Sequence, residues 1–169
     1  MNEQYLIISG TNRGGSNTYK VAAQYLDALK NKNISAEIVS LEDLDVQNRT
    51  GEMIQLETEK LIPTQKYIFI SPEYNGSIPG VLKSLFDISD YKNVWWGKKA
   101  LLVGISSGRS GNVRGMEHLT TILNYLKVVV HPNKLPISSV NKLINGNGMI
   151  QDPETLSAID AQLNEYIEF

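Results

Sequence analysis

The chain has 169 residues, 41% of them hydrophobic, with 16 basic against 18 acidic residues and a formal net charge of −2. That length fits one domain, residues 1–169, with a core of its own, and the near balance of charge supplies no basic face for nucleic acid. The absence of cysteine excludes disulfides, thiolate catalysis and zinc-thiolate sites, so any redox chemistry must come from a bound cofactor.

No apolar run approaches the ~18 residues of a membrane span. No charged segment followed by an apolar one opens the chain, so a cytoplasmic protein is expected. Residues 4–9 read as a short buried strand rich in Ile and Leu. Behind it stands Ser9 to Lys20, S-G-T-N-R-G-G-S-N-T-Y-K, and then a helix over 16–31 in which Tyr19, Ala22, Leu26 and Leu29 recur at helical spacing. A strand, a glycine-rich turn and a helix N-terminus make an anion site, because free N–H groups and the helix dipole point at it. Thr11, Ser16, Asn17 and Thr18 offer short polar groups and Arg13 a charged fork, while Gly14 and Gly15 allow close approach of the backbone. Clusters of this composition are most often ordinary turns. Here the strand-loop-helix context, the Arg inside the loop and the hydroxyls running into the first turn weigh toward a phosphate cradle. Neither G-x-G-x-x-G nor G-K-[ST] is present, so it is neither a dinucleotide fingerprint nor an NTPase loop.

A second strand is expected at 35–40, then a polar loop over 41–52 whose Glu42, Asp43 and Asp45 read as a solvated acidic stretch. Met53 to Ile62 reads as a short helix ended by Pro63. The third strand, Lys66 to Ser71, feeds S-P-E-Y-N-G-S-I-P-G. There Asn75-Gly76 suits a tight turn with positive φ, and Pro79 is expected in the first turn of a helix with Leu82, Leu85 and Phe86 on one face. Residues 90–98 read as a loop carrying Trp95 and Trp96. The fourth strand, Lys99 to Ser106, opens into a loop with three glycines, Gly108, Gly111 and Gly115, and two arginines, Arg109 and Arg114. A helix with Met116, Leu119, Leu123 and Leu126 follows. The fifth strand is expected at Lys127 to His131, with a continuation at Leu135 to Ser139. Asp152 and Pro153 start the last helix. His118 and His131 have no partner at metal-ligand or triad spacing and read as structural, and no metal site is expected.

Apolar strands alternating with helices imply an α/β fold with a parallel sheet covered on both faces. In the flavodoxin-like three-layer arrangement, with five strands ordered 2-1-3-4-5, the loops after strands one, three and four share one rim, where ligands of such sheets bind.

With these residues in view, the chain resembles the NADPH-dependent FMN reductase family of flavodoxin-like proteins. The family's G-S-x-R-x-x-S motif stands as Gly10 to Thr18, with Thr11 keeping the hydroxyl of the usual Ser. Its P-E-Y-N-G-S-x-P-G-x-L-K motif stands complete as Pro72 to Lys83, with Asp87 at the family spacing, and its Ser/Gly-rich third loop is matched loosely by Ser106 to Gly115. The resemblance implies FMN as cofactor and NADPH or NADH as co-substrate. It places the phosphate on Thr11, Arg13, Ser16, Asn17 and Thr18, and the isoalloxazine on Pro72, Glu73, Tyr74, Asn75 and Gly76, with Ser107, Gly108 and Gly111 on the other side. The implied activity is a flavin-dependent NAD(P)H oxidoreductase passing a hydride to FMN and electrons on to a flavin, quinone, azo compound or metal oxyanion, by ping-pong kinetics and with no catalytic side chain. Two alternatives stand beside it: a flavodoxin-type electron carrier, against which Arg13 and the charge of −2 argue, and a non-catalytic FMN-binding module. A homodimer or homotetramer is expected, because Val81, Leu85, Phe86, Tyr91, Val94, Trp95 and Trp96 exceed what one helix buries on a sheet. Packing of both Trp side chains within their own subunit is the competing reading.

Overall fold

Four of the expected strands line up in one parallel sheet: β1 (Tyr5–Ser9), β2 (Ala36–Ser40), β3 (Lys66–Pro72) and β4 (Lys99–Ile105). This is a computed structural model, and it describes residues 4–42 and 44–169. Asp43 of the expected acidic loop lies outside the described residues. The fifth position is filled by two short pieces, β5 (Val129–Val130) and β6 (Leu135–Ile137), which pair with opposite ends of β4. The order is β2-β1-β3-β4-β5, with every pair parallel, as the alternation of strands and helices requires.

The connections are α1 (Asn17–Asn31), α2 (Gly51–Leu56) running on as a π-helical turn at Glu57–Leu61, α3 (Gly80–Ile88), α4 (Tyr91–Val94), α5 (Val113–Tyr125), α6 (Val140–Leu143) and α7 (Pro153–Glu168). Side chains alternate across each strand and so divide the core in two. Leu6, Ile8, Tyr67, Phe69 and Leu102 face α2, α3 and α5, together with Met53, Leu85 and Leu119. Tyr5, Ile7, Ile68, Ile70 and Leu101 face α1 and α7, together with Tyr25, Leu29 and Leu163. The result is the flavodoxin-like three-layer fold. Among the described residues no helix is long and apolar enough to cross a membrane.

Several local expectations are corrected. Pro79 is not in the first turn of α3: it stands just before it, at φ −61° and ψ 141°, an extended conformation outside the helix. The stretch expected as a loop at 90–98 contains α4, whose start is capped by Asp90 accepting the Asn93 N–H. That short helix swings Trp95 inward. Its indole is fully buried against Tyr67, Phe69 and Phe86, and Nε1 donates to Ser89 Oγ at 2.7 Å. Trp95 is therefore core, whereas Trp96 stays 38% exposed.

The fifth strand does not begin at Lys127. That residue closes the turn after α5 at φ 57°, so pairing starts only at Val129. Along β4 the Lys98 carbonyl accepts the Val129 N–H and the Ala100 carbonyl accepts the His131 N–H. The next outward carbonyl, Leu102, receives the side-chain amide of Gln162 on α7 at 3.2 Å, because the chain leaves the sheet between β5 and β6. Gln162 is fully buried. It also donates to the Asn133 carbonyl at 2.8 Å and accepts the Tyr25 hydroxyl at 2.6 Å.

Candidate functional site

Because β1, β3 and β4 are neighbours, the loops that follow them meet at the C-terminal rim of the sheet. A cleft of about 290 Å³ opens there. Arg13, Gly14, Ser16, Asn17 and Thr18 form one side of it. Pro72, Glu73 and Tyr74 form the second, and Ile105, Ser106 and Ser107 the third. Val140 and Asn141 of α6 close it. A larger hollow of about 390 Å³ lies beside β6, but the helix end it meets is already capped by Asp152.

The first loop leaves β1 through Gly10, where a Cβ would stand 2.9 Å from the Ile70 carbonyl oxygen and 3.0 Å from Leu82 Cδ2, so only glycine lets β1 end this close to β3. Thr11 is buried, and its Oγ1 accepts the Arg13 N–H at 3.3 Å. Ser16 caps α1 by accepting the Tyr19 N–H at 3.2 Å. The remaining N–H groups of the first turn have no carbonyl one turn earlier to bond. Asn17 donates to Asn141 Oδ1 at 2.5 Å and accepts from Lys20 Nζ at 3.4 Å, which ties α1 to α6 across the cleft.

The second loop is a two-residue hairpin. Asn75 and Gly76 both have positive φ, 52° and 75°, and Tyr74 and Ser77 exchange backbone hydrogen bonds at 3.0 and 3.1 Å around them. This is the turn geometry that Asn-Gly favours. The Tyr74 side chain leans onto the first loop. Its hydroxyl shares a 2.6 Å hydrogen bond with Thr11 Oγ1, and the Arg13 guanidinium lies 4.3 Å from the ring centroid. Asn75 is exposed and Gly76 abuts Arg114, and the side walls of the cleft include neither.

In the third loop Ser107 reaches the cleft. Gly108 and Gly111 do not. The Gly108 carbonyl accepts from Ser106 Oγ and from the Ser139 N–H, at 3.0 and 2.7 Å. Gly111, at φ 57°, packs on Pro136, where a Cβ would come within 2.6 Å. Its glycine is required by packing. Glu73 accepts the Ser110 hydroxyl, joining the second loop to the third.

Asn112 and Asn141 were not legible as site residues. Asn112 is fully buried at φ 60°, and its amide donates to the Ser71 carbonyl at 3.0 Å. An Asn after glycine and before a helical pattern is a signal for a left-handed residue, though not for this partner. Asn141 lies on a four-residue helix, too short to leave a periodic trace. Of the two histidines, His131 is buried edge-on to Phe169 at 4.8 Å. His118 is exposed and bonds Ser77 Oγ through Nδ1 at 2.8 Å. Among the described residues no three His, Cys, Asp or Glu side chains gather as a metal site.

The donor set suits a phosphate monoester: a guanidinium, hydroxyls and an open helix N-terminus stand together on the side formed by the first loop. No carboxylate among the described residues pairs with Arg13. The lining also includes Pro72, Ile105 and Val140, apolar surface that suits a flat ring.

Residues 4–142 match the family described as NADPH-dependent FMN reductase. An NAD(P)H-dependent FMN reductase of Pseudomonas aeruginosa is 30% identical over 168 residues, covering 92% of this chain and 89% of that protein. A quinone reductase of Escherichia coli K12 is 31% identical over 139 residues, 78% of this chain and 73% of that protein. The structure of the flavoenzyme NAD(P)H:(acceptor) oxidoreductase of Paracoccus denitrificans superposes with a TM-score of 0.81 at 18% identity, covering 98% and 96% of the two chains.

Proposed function

We infer the course of the reaction from one premise: the chain belongs to the NADPH-dependent FMN reductase family, and is an oxidoreductase that carries FMN and takes NAD(P)H as co-substrate. The observation that supports the reading best is the mixed lining of the cleft, in which Arg13 and the α1 N-terminus stand with the apolar side chains of Pro72, Ile105 and Val140. Arg13, Ser16, Asn17 and Thr18 would hold the phosphate, with Thr11 buried behind the loop as its support. Pro72, Glu73 and Ser107 would border the ring, and the hairpin backbone at Asn75 and Gly76 would meet its edge. Gly108 and Gly111, expected on the far side of the ring, also carry contacts within the third loop.

When bound, FMN supplies the acceptance of a hydride from NAD(P)H and the delivery of electrons onward. The chain's own part is to bind, orient and shield. One cleft serves both substrates, so donor and acceptor take turns and ping-pong kinetics follow. The acceptor is a small flat molecule, a quinone or a flavin, in keeping with the names of the relatives. The reaction runs in the cytoplasm. Two copies of the chain associate through the exposed pair Tyr91 and Trp96, whose rings meet edge-to-face at 5.9 Å, at the start of α4 and just past its end. Trp95 has no part in that surface.

The test is the absorption spectrum of the purified flavoprotein before and after anaerobic NADPH, followed by steady-state rates without any partner reductase. Bleaching, turnover with a quinone and parallel double-reciprocal lines are the expected results. A spectrum unmoved by both NADPH and NADH would leave a flavodoxin-type carrier or a non-catalytic flavin module. Intersecting lines would rule out a shared site.

A further inference from the structure

We propose that Tyr74 is a positioning residue for the phosphate end of the cofactor, and not the platform for the flavin ring. The inference rests on the reading of the Arg13 loop as a phosphate cradle. Three contacts carry it. The Tyr74 hydroxyl is bonded to buried Thr11 at 2.6 Å, the Thr11 oxygen takes the Arg13 N–H at 3.3 Å, and the Arg13 guanidinium lies over the Tyr74 ring at 4.3 Å. Backbone and side chain of Arg13 are thus both held by the Thr11–Tyr74 pair.

The arrangement has a physical use. Arg13 is an exposed side chain with no carboxylate partner among the described residues, and a free arginine loses rotamer entropy when a ligand fixes it. Stacking on an aromatic face restrains the guanidinium before the ligand arrives and leaves its N–H edge free to donate. The parallel pairing of β1 with β3 brings Ser9 opposite Ile70, so the two loops that supply Arg13 and Tyr74 begin side by side. Tyr74 therefore acts on the ligand through Arg13, and the ligand feature it serves is the phosphate.

The experiment compares two ligands that differ only in that group. FMN and riboflavin are titrated into the cofactor-free full-length chain, with quenching of flavin fluorescence as the readout. Wild type should prefer FMN by at least about tenfold, the value of one charge-assisted contact. Tyr74→Leu should weaken FMN about three- to tenfold and leave riboflavin within about twofold. Tyr74→Phe keeps the stacking face and should recover most of the FMN affinity. In an Arg13→Ala background, Tyr74→Leu should change FMN affinity by less than about twofold, because the pair acts as one unit. Equal losses for FMN and riboflavin in Tyr74→Leu, or no rescue by Tyr74→Phe, would overturn the proposal while leaving the cradle intact. A wild type that binds both flavins equally would overturn the cradle itself, and the proposal with it.

Discussion

Asn112 donates its side-chain amide to the Ser71 carbonyl at 3.0 Å, and through that bond the third loop is fastened to the end of β3. Both residues are fully buried, and Asn112 sits in the left-handed region at φ 60°. Asn112→Ala should cost about 2–4 kcal/mol, from an orphaned buried carbonyl and the left-handed backbone together. Asn112→Gly should recover only the backbone part. Urea unfolding of the two variants separates these contributions.

Arg13→Ala should weaken FMN about ten- to a hundredfold, the loss of a charge-assisted hydrogen bond to a dianion. Riboflavin affinity should be unchanged. Since the phosphate interaction is electrostatic, the gap between wild type and variant should narrow as salt is raised from 0.05 to about 0.5 M. Equilibrium titration at both ionic strengths checks it.

The two tryptophans should part company. Trp95→Glu places a carboxylate among Tyr67, Phe69 and Phe86 and should prevent folding, since an unpaired buried charge and a large cavity combine. Trp96→Glu should fold normally, because its ring is 38% exposed. Its effect belongs to assembly: sedimentation at micromolar concentration should give a smaller species than wild type. A Trp96→Glu protein of unaltered size would remove Trp96 from the interface.

Acid should weaken the start of α7. The Thr155 hydroxyl and N–H hold the Asp152 carboxyl below its ordinary value of 3.8. A carboxyl whose pKa is lower folded than unfolded contributes stability that is full above its unfolded value and is lost as pH falls through the folded one. Asp152→Asn retains a capping oxygen and cannot titrate. The stability advantage of wild type over this variant should be present at pH 7 and shrink steadily below about pH 4, measured by chemical unfolding across that range.

The architecture was legible because its signals are local and repeated. Near-continuous apolar runs mark strands buried on both faces, and β1, β3 and β4 are of this kind. The Asn75-Gly76 turn was legible for the same reason, since few residue pairs accept two successive positive φ values. What escaped depends on distant partners. Trp95 reads as an interface residue beside Trp96, with packing in its own subunit as the competing reading, and α4 decides for the latter by turning it toward Ser89. Gly111 reads like a ring-contact glycine, and its packing on Pro136 leaves no local signal. Tyr74 carries no local sign of its partner, since its hydroxyl bonds a residue 63 positions earlier. Asn141 enters the cleft only because α6 folds back beside α1.

At the level of the Leu102 carbonyl, a glutamine on α7 stands where the sheet's outer strand is missing. The last helix is thus a rung of the ladder as well as a cover for one face, and the two cannot come apart separately. Opening of α7 uncovers an unpaired carbonyl and a broken edge, the kind of surface on which a strand from another chain can settle. Slow amide exchange along the middle of β4 should therefore report on the docking of residues 153–168. Truncations that remove this helix should yield aggregates in place of a smaller folded flavoprotein.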